Sequence, residues 1–336
     1  MAAKHDSRFM DIALRLADQS QGRTGSNPAV GCVITNDDCI IGCGRTGDGG
    51  RPHAESIALA QAEGKTLGAT LYTTLEPCAH SSPRGPSCLD LIKKSGVTRV
   101  VIACLDPDPR TDGTSVTDLK QAGIEVLTGL CRDQAERSII GFTTRLRLER
   151  PWVALKLATT HDGAIALENG ASQWITSPQA RRSSHVLRSR CDAVAVGTGT
   201  VFADNPRLDV RIAGLERYSP RVYVLGKRSL TTDQYLKDRA SHIASHDPVE
   251  VLNLIAQDGV NRLLIEGGAI IAGAFLKADL VDCIYHYQAP IIAGNGRKAV
   301  AVTVLKTLDR AVGLWNKEAS IPLGPDDLHI LWRNRP

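Results

Sequence analysis

Apolar and polar positions along the first part of the chain alternate between helical and strand periods. Apolar side chains recur at helical spacing over residues 9–16, after Asp6 or Ser7 as a cap. Two strand-like runs joined by Asn36-Asp37-Asp38 predict a β-hairpin. The pattern as a whole predicts strands at 30–35, 39–44, 70–75, 99–104 and 124–127, and further helices at 54–63, 87–95, 116–122 and 133–147. This alternation indicates an α/β layer sandwich.

A second series of elements follows the charged stretch from Arg145 to Arg150. A new strand-like run begins directly after Pro151, so the pattern predicts two domains, at 1–147 and 151–336. The second series has strands at 152–157, 192–196, 222–225, 262–266, 283–287 and 328–332, helices at 178–190, 249–257 and 269–277, and an irregular loop at 227–248. It belongs to the α/β class as well.

Length and composition fit a soluble protein with two globular domains. The chain has 336 residues, of which 43% are hydrophobic and 23% are charged. No run approaches the roughly 18 apolar residues that a membrane helix needs, and the first residues lack the apolar core of a signal peptide. The nine cysteines are odd in number and scattered, as in proteins that keep free thiols. We therefore expect a cytoplasmic protein.

Charge differs between the two parts of the chain. Residues 1–146 carry 16 Lys and Arg against 17 Asp and Glu, whereas residues 147–336 carry 24 against 19. The second part is therefore the better host for anions such as phosphates. Aromatic residues make up only 4% of the chain, too few for platforms on which bases stack, so the composition does not suggest a nucleic-acid surface.

Three short segments carry the residues of a zinc-dependent deaminase. They are His53-Ala54-Glu55, Glu76-Pro77-Cys78 and Cys88. A catalytic zinc takes three protein ligands and leaves a fourth position to water, and His53, Cys78 and Cys88 would be those ligands. If a helix begins at Ala54, Glu55 lies in its first turn and can transfer protons at the open position. The predicted helices also place all three ligands at helix N-termini.

Other interpretations of these residues remain open. A single histidine or cysteine is more often a surface or core residue than a ligand. Nine residues separate the two cysteines where the usual signature has two, and His80 between them is either a substrate contact or a solvated loop residue. A tRNA or nucleoside deaminase fused to an unrelated domain would predict basic residues around this site. A structural zinc site would need four protein ligands and no free carboxylate.

The second part contains a candidate site for a phosphate-bearing ligand. Glu266-Gly267-Gly268-Ala269 lies between an apolar strand and an apolar helix, and glycines there allow a ligand close to the backbone. Gly197-Thr198-Gly199-Thr200 also follows a strand, so both loops would line one crevice. Arg188 and Arg211 are candidates for bidentate binding of a phosphate. A solvated helix face and a plain tight turn are the alternatives.

The order of these motifs resembles that of the bifunctional deaminase-reductases of riboflavin biosynthesis along nearly the whole chain. The first part matches at Asn27-Pro28-Ala29-Val30-Gly31, His53-Ala54-Glu55 and Glu76-Pro77-Cys78-Ala79-His80. The second part matches at Lys156-Leu157-Ala158, Asp162-Gly163, Ser172-Gln173-Trp174-Ile175-Thr176-Ser177, Gly199-Thr200-Val201, Asp204-Asn205-Pro206 and Glu266-Gly267-Gly268-Ala269.

The resemblance implies a cytidine-deaminase-like α/β/α sandwich followed by a dihydrofolate-reductase-like α/β domain. It implies that the first domain hydrolyses the 2-amino group of 2,5-diamino-6-ribosylamino-4(3H)-pyrimidinone 5′-phosphate. The second domain would then use NADPH to reduce the ribosyl group, which gives 5-amino-6-ribitylaminouracil 5′-phosphate. The implied partners are these small molecules and a second copy of the chain, which associates through the reductase domain, with no nucleic acid and no membrane.

Site residues follow from the resemblance position by position. It implies one Zn²⁺ per chain at His53, Cys78 and Cys88, with Glu55 as the proton donor. The implied contacts to NADPH are Ala158, Trp174, Thr200, Asp204, Gly268, Ala269, Ile270, Ile271, Ala272, Gly273 and Ala274. The implied contacts to the second substrate are Ser172, Arg188, Leu208, Arg211 and Glu266. Asp204 or Glu266 is a candidate for proton transfer in the reduction.

Overall fold

The chain divides into two compact units, residues 1–148 and 149–336. The computed structural model describes residues 2–81, 85–231, 234–302, 304–305 and 312–335, and of residues 2–4 only the backbone. Both units have the α/β class that the sequence predicts. In the described part of the chain, no helix has the length and the apolar character to cross a bilayer.

Unit 1 is built on a mixed sheet. Its described elements are α1 (Ala2–Asp18), β1 (Gly31–Asn36), β2 (Cys39–Arg45), a 3₁₀ turn (Asp48–Gly50), α2 (Ala54–Ala62), β3 (Thr70–Leu75), α3 (Cys88–Ser95), β4 (Arg99–Cys104), α4 (Thr114–Gln121), β5 (Glu125–Thr128), α5 (Arg132–Ser138) and α6 (Ile140–Leu148). The strands lie in the order β2-β1-β3-β4-β5, with β3, β4 and β5 parallel to one another. The carboxyl ends of β3 and β4 therefore open at one edge of the sheet.

Close backbone contacts fix the first two helices on this sheet. A Cβ atom added at Gly31 would lie 1.8 Å from the carbonyl oxygen of Ala13 in α1. One added at Gly44 would lie 2.3 Å from the carbonyl oxygen of Ala54, the first residue of α2. Only glycine fits at such distances. The sheet thereby sets the position at which α2 begins.

Two sequence predictions for unit 1 are wrong in detail. Asp6 is not a helix cap, because α1 begins at Ala2 and contains it. Its carboxylate is buried and accepts hydrogen bonds of 2.8 Å from Tyr72 and from both terminal nitrogens of Arg99. The helix predicted at 133–147 is two helices, because Ile139 leaves helical geometry (φ −102°, ψ 9°) and buries its side chain.

Unit 2 contains a large mixed sheet. Its described elements are β6 (Trp152–Thr160), β7 (Ala164–Ala166), α7 (Pro178–Ser189), β8 (Ala193–Gly197), α8 (Thr198–Asp204), a 3₁₀ turn (Glu216–Tyr218), β9 (Arg221–Leu225), β10 (Ala240–Ile243), α9 (Pro248–Gln257), β11 (Arg262–Ile265), α10 (Ala269–Lys277), β12 (Cys283–Ala289), β13 (Arg297–Lys298), β14 (Trp315–Leu323) and β15 (Asp326–Arg333). Eight strands lie in the order β10-β9-β8-β11-β6-β12-β15-β14, and β7 pairs with β13. From β10 to β12 the strands are parallel.

Several elements of unit 2 have no counterpart in the sequence pattern, the short strands β7 and β13 among them. The loop predicted at 227–248 contains β10, and β14 has no predicted counterpart. Both are edge strands with mostly exposed residues, so neither carries a clear apolar alternation. The loop predicted at Gly197-Thr198-Gly199-Thr200 runs into α8 instead, which shows that tertiary contacts outweigh the poor helix propensity of this segment.

Arg150 and Asp282 form a buried ion pair beside the first strand of unit 2. Arg150 donates from both terminal nitrogens to Asp282, at 2.7 and 2.8 Å, and both side chains are only 9% exposed. The backbone N–H of Val153 donates to the same carboxylate at 2.8 Å, and Arg335 donates to it at 3.2 Å. All these donors bind the same carboxylate. Loss of the Asp282 carboxylate would therefore leave the guanidinium groups of Arg150 and Arg335 without that counter-charge.

We expect Asp282→Asn to destabilise unit 2 by about 3 kcal/mol, because it leaves the buried charge of Arg150 uncompensated. All four tryptophans of the chain, at 152, 174, 315 and 332, belong to unit 2, so urea unfolding followed by tryptophan fluorescence reports this unit alone. Asp279→Asn is the matched control, since that carboxylate is 56% exposed and its ion pair with Arg333 is worth less than about 1 kcal/mol. Equal losses for the two variants would contradict the prediction.

Candidate active sites

His53, Cys78 and Cys88 converge where three segments of unit 1 meet. His53 directly precedes α2, Cys88 is the first residue of α3, and Cys78 lies in the irregular segment after β3. The Nδ1 atom of His53 lies 3.3 Å from the sulfur of Cys88 and 3.5 Å from that of Cys78. The prediction that Cys78 lies at a helix N-terminus is wrong, because the chain after Pro77 forms no helix before residue 82.

The spacing of the three donor atoms fits a zinc ion. All three lie within 4.8 Å of one another. Zinc bonds of about 2.3 Å to sulfur and 2.0–2.1 Å to nitrogen place such atoms about 3.5 Å apart in a tetrahedral site. The backbone N–H of Cys88 donates to the sulfur of Cys78 at 3.3 Å, which favours a thiolate there. Two thiolates would cancel the charge of the metal.

The two thiols differ in proton affinity. A hydrogen bond from the Cys88 thiol lowers the pKa of Cys78 to about 4. The same contact, together with burial, raises the pKa of Cys88. The polypeptide thus stabilises one thiolate by itself, and coordination to a metal cation deprotonates such thiols outright.

Glu55 faces this cluster from the first turn of α2. It is buried, and its two oxygens lie 3.4 Å from Thr73 Oγ1 and from the sulfur of Cys88. Burial raises the pKa of Glu55, although the positive charge of a protonated His53 would lower it. The carboxyl group therefore suits a role in which it holds a proton and gives it up again.

A cleft of about 530 Å³ leads to these residues. It is lined by His53, Glu55, Cys78 and His80, among others. It also exposes Asp106, whose pKa burial raises to about 7. The sequence pattern does not single out Asp106, although only Leu105 separates this residue from the end of the parallel strand β4. Residues 82–84, within the long segment between the two cysteines, lie outside the described residues.

Glu76 has a structural role that the motif alone does not indicate. Its buried carboxylate accepts hydrogen bonds from the backbone N–H groups of Asp106, Gly113 and Ser115, at 3.2, 2.9 and 3.0 Å. Ser115 Oγ also donates to the carbonyl oxygen of Pro77 at 2.6 Å. Glu76 therefore holds the segment that carries Cys78 against the start of α4.

The second candidate site is a cavity of about 440 Å³ at the carboxyl ends of β6, β8 and β11. The predicted residues that line it are Ala158, Ser172, Trp174, Arg188, Thr200, Asp204, Leu208, Arg211, Glu266 and Gly268. The other predicted residues, Ala269, Ile270, Ile271, Ala272, Gly273 and Ala274, continue α10 beyond this lining. The side chains of Ile271 and Ala272 pack in the core of unit 2. Contacts from this part of α10 to a ligand in the cavity would come from its first backbone amides and from Ile270, whose side chain is 70% exposed.

Arg188 and Glu266, predicted separately as substrate contacts, bind each other. The guanidinium donates to both carboxylate oxygens at 2.8 and 3.0 Å. Burial raises the pKa of Glu266, but the charges of Arg188 and Lys156 outweigh this effect and hold the pKa below its usual value. Glu266 is therefore ionised and engaged, which makes it a poor proton donor.

Lys156 and Asp204 are two titratable groups of this cavity whose pKa values are shifted in the direction that favours proton exchange. The pKa is lowered for the lysine and raised for the aspartate. Burial and the charge of Arg188 lower the pKa of Lys156, against the opposing charge of Glu266. Burial raises the pKa of Asp204. The sequence pattern left Lys156 ambiguous, because its position beside Glu266 depends on the pairing order of β6 and β11.

Family models match both units. The model described as cytidine and deoxycytidylate deaminase zinc-binding region matches residues 3–104. The model described as RibD C-terminal domain matches residues 151–315. The matches agree with the predicted fold class, a deaminase-like domain followed by a reductase-like one.

Curated proteins and solved structures extend the similarity over most of the chain. The riboflavin biosynthesis protein RibD of Aquifex aeolicus is 37% identical over 88% of this chain and 90% of its own length. RibD of Escherichia coli is 35% identical over the same shares. A solved deaminase and reductase structure from Thermotoga maritima is 30% identical and has a TM-score of 0.90, over 99% of this chain and 100% of that chain. The chain therefore belongs to the RibD family of riboflavin biosynthesis proteins.

Proposed function

We propose that this chain catalyses two consecutive steps of riboflavin biosynthesis. Unit 1 deaminates 2,5-diamino-6-ribosylamino-4(3H)-pyrimidinone 5′-phosphate, and unit 2 reduces the product. The convergence of His53, Cys78, Cys88 and Glu55 on one cleft carries this proposal. The name of the Thermotoga maritima protein supports it: a diaminohydroxyphosphoribosylaminopyrimidine deaminase and 5-amino-6-(5-phosphoribosylamino)uracil reductase.

In unit 1, Glu55 carries out the proton transfers. Zn²⁺ bound by His53, Cys78 and Cys88 would lower the pKa of a water molecule and make it a nucleophile at neutral pH. The Glu55 carboxylate would accept a proton from this water during attack on the carbon that bears the 2-amino group. The same carboxyl then gives the proton to the departing nitrogen, which leaves as ammonia. The buried environment of Glu55 suits this role, because it raises the proton affinity of the carboxylate.

In unit 2, the chain positions the sugar and supplies a proton. NADPH, held by residues that line the cavity, would supply the hydride for the anomeric carbon of the ring-opened imine, and the imine nitrogen would take up a proton. We assign this proton to Lys156, whose lowered pKa makes it the better acid, with Asp204 as the alternative. The negative charge of Glu266 would attract the lysine, and the positive charge of Arg188 would favour release of its proton.

The other contacts in the cavity follow from its lining. Ser172, Leu208 and Arg211 would bind the sugar phosphate. Ala158, Trp174, Thr200 and Asp204 would contact NADPH, together with the segment from Gly268 to Ala274. Trp174 is 64% exposed and has the guanidinium of Arg181 4.5 Å from its ring centre, so one face remains for a planar group.

We also propose that the chain is cytoplasmic and forms a homodimer or a higher oligomer through unit 2. Nine cysteines without disulfides, Cys39 exposed among them, support a reducing compartment. The edge strand β14 supports association through unit 2, because its backbone can pair with a second copy. A solution mass of a single chain would contradict the oligomer.

One assay tests both activities together. The diaminopyrimidine substrate is supplied with NADPH and zinc-loaded protein, and ammonia and NADPH oxidation are followed at the same time. We expect ammonia to appear first and NADPH oxidation to follow, because the second site acts on the product of the first. Release of ammonia without oxidation would remove the reductase from the proposal. Ammonia release from nucleosides at a comparable rate would favour a nucleoside deaminase.

We expect Glu55→Gln to keep zinc but to lower the rate of ammonia release by about 10²–10⁴-fold, the usual contribution of a general acid and base. NADPH oxidation with 5-amino-6-(5-phosphoribosylamino)uracil should stay unchanged, because unit 2 is intact. Metal analysis, ammonia release and NADPH oxidation are measured on the same sample. Loss of zinc along with activity would mean that Glu55 is structural.

We expect Lys156→Met to reduce NADPH oxidation at least about 10²-fold, because it removes the proton donor while keeping the length of the side chain. Ammonia release should persist. In the wild type, kcat of the reduction should fall as pH rises through the pKa of Lys156, which lies below its usual value. Asp204→Asn is the comparison: if this variant and not Lys156→Met abolishes turnover while NADPH still binds, Asp204 is the acid.

A further inference from the structure

His185 lies between two arginines of the cavity in unit 2. It belongs to α7 and lines the cavity. Its Nδ1 atom is 3.3 Å from Nη1 of Arg188, 3.3 Å from the backbone nitrogen of Arg211 and 3.2 Å from the carbonyl oxygen of Asp209. The imidazole thus connects a helix to the segment that carries Leu208 and Arg211.

The neighbours of Nδ1 define its protonation state. A guanidinium N–H and a backbone N–H can only donate. The carbonyl oxygen of Asp209 already accepts a hydrogen bond from Arg188. Two donors and one acceptor therefore face Nδ1, an arrangement that favours the neutral ring with its proton on Nε2 and Nδ1 as the acceptor.

The segment that His185 holds has a backbone that needs support. Leu208 has φ +53°, a conformation that residues with a side chain rarely adopt. Asp209 and Arg211 follow it, and Arg211 is anchored to α7 by its backbone N–H. A contact at this point therefore keeps Leu208 and Arg211 turned towards the cavity.

We propose that His185 is a positioning residue for the substrate of unit 2: as the neutral Nε2–H tautomer it ties segment 208–211 to Arg188 and so sets Leu208 and Arg211 for binding. This inference rests on the reductase function proposed above. His185 acts on the substrate through Arg211 and makes substrate binding sensitive to pH.

The charges around the ring oppose its protonation. Arg188 approaches from α7 and Arg211 from the segment 208–211, while Glu266 approaches from the end of β11. Burial first, and then the two arginine charges, lower the pKa of His185, against the carbonyl of Asp209 and the charge of Glu266. A proton on Nδ1 would replace an acceptor by a donor and place a third positive charge beside the arginines. The backbone N–H of Arg211 would then lose its acceptor on α7, while the carbonyl oxygen of Asp209 would stay bound by Arg188.

Two variants test this role at pH 7.5, with full-length protein, NADPH and 5-amino-6-(5-phosphoribosylamino)uracil. We expect His185→Ala to raise KM for the uracil substrate about tenfold, the loss expected for one to two hydrogen bonds. The values of kcat and of KM for NADPH should stay within about twofold, since no group at the reacting atoms changes. His185→Gln should restore KM to within about threefold of the wild type, because its amide oxygen can accept the same hydrogen bonds. His329→Gln, in β15 outside the cavity lining, is the control for a histidine substitution.

The pH profile separates positioning from a general structural effect. KM of the wild type should rise as the pH falls through the pKa of His185, which lies below its usual value. The substrate phosphate titrates at about pH 6, so His185→Gln, in which only the phosphate titrates, is the reference. At the lowest pH at which both proteins keep their turnover, we expect KM to have risen at least about threefold more in the wild type than in this variant.

Identical pH profiles in the wild type and His185→Gln, with normal turnover, would overturn this inference alone. An equal rise of KM for NADPH and for the uracil substrate in His185→Ala would overturn it too, since that pattern indicates general damage to unit 2. Absence of NADPH oxidation by the wild type would overturn the proposed reductase function, and with it this inference.

Discussion

A buried carboxylate directly beyond the end of a parallel strand organises each unit. Glu76 follows β3 and Glu266 follows β11. A carboxylate is costly to bury unless donors replace the water that it loses. Glu76 obtains them from backbone N–H groups of the segment after β4, and Glu266 obtains them from the guanidinium of Arg188. The need to satisfy these two groups brings together the segments from which each site is built.

The pKa of a buried glutamate is shifted in opposite directions in the two units. Glu55 lies among sulfur atoms in a buried pocket, and burial raises its pKa. Glu266 lies between Lys156 and Arg188, whose charges outweigh burial and lower its pKa. The first environment suits a carboxyl that exchanges a proton, and the second suits a fixed negative charge. Environment, and not residue identity, therefore distinguishes a proton carrier from an anchor.

Sequence predicts what is local or chemically constrained. Strands β3 and β4 have the predicted bounds because all but the first residue of each is buried and half of their residues are β-branched. The motif at His53, Cys78 and Cys88 is visible because few residue types bind zinc. By contrast, β14 depends on pairing with β15, and its exposed residues leave no apolar pattern. The roles of Lys156 and His185 cannot be predicted from the sequence, because their neighbours come from distant segments of the chain. Only the pairing order of the strands and the packing of α7 bring these segments together.

The carboxylate of Asp282 has a further consequence. It binds Arg150, at the beginning of unit 2, and Arg335, close to its end. The two ends of this unit are therefore neighbours in space, joined through a third segment. A domain with adjacent ends can be inserted, appended or circularly permuted without disturbing its interior. Unit 2 has in this sense the adjacent ends of a module.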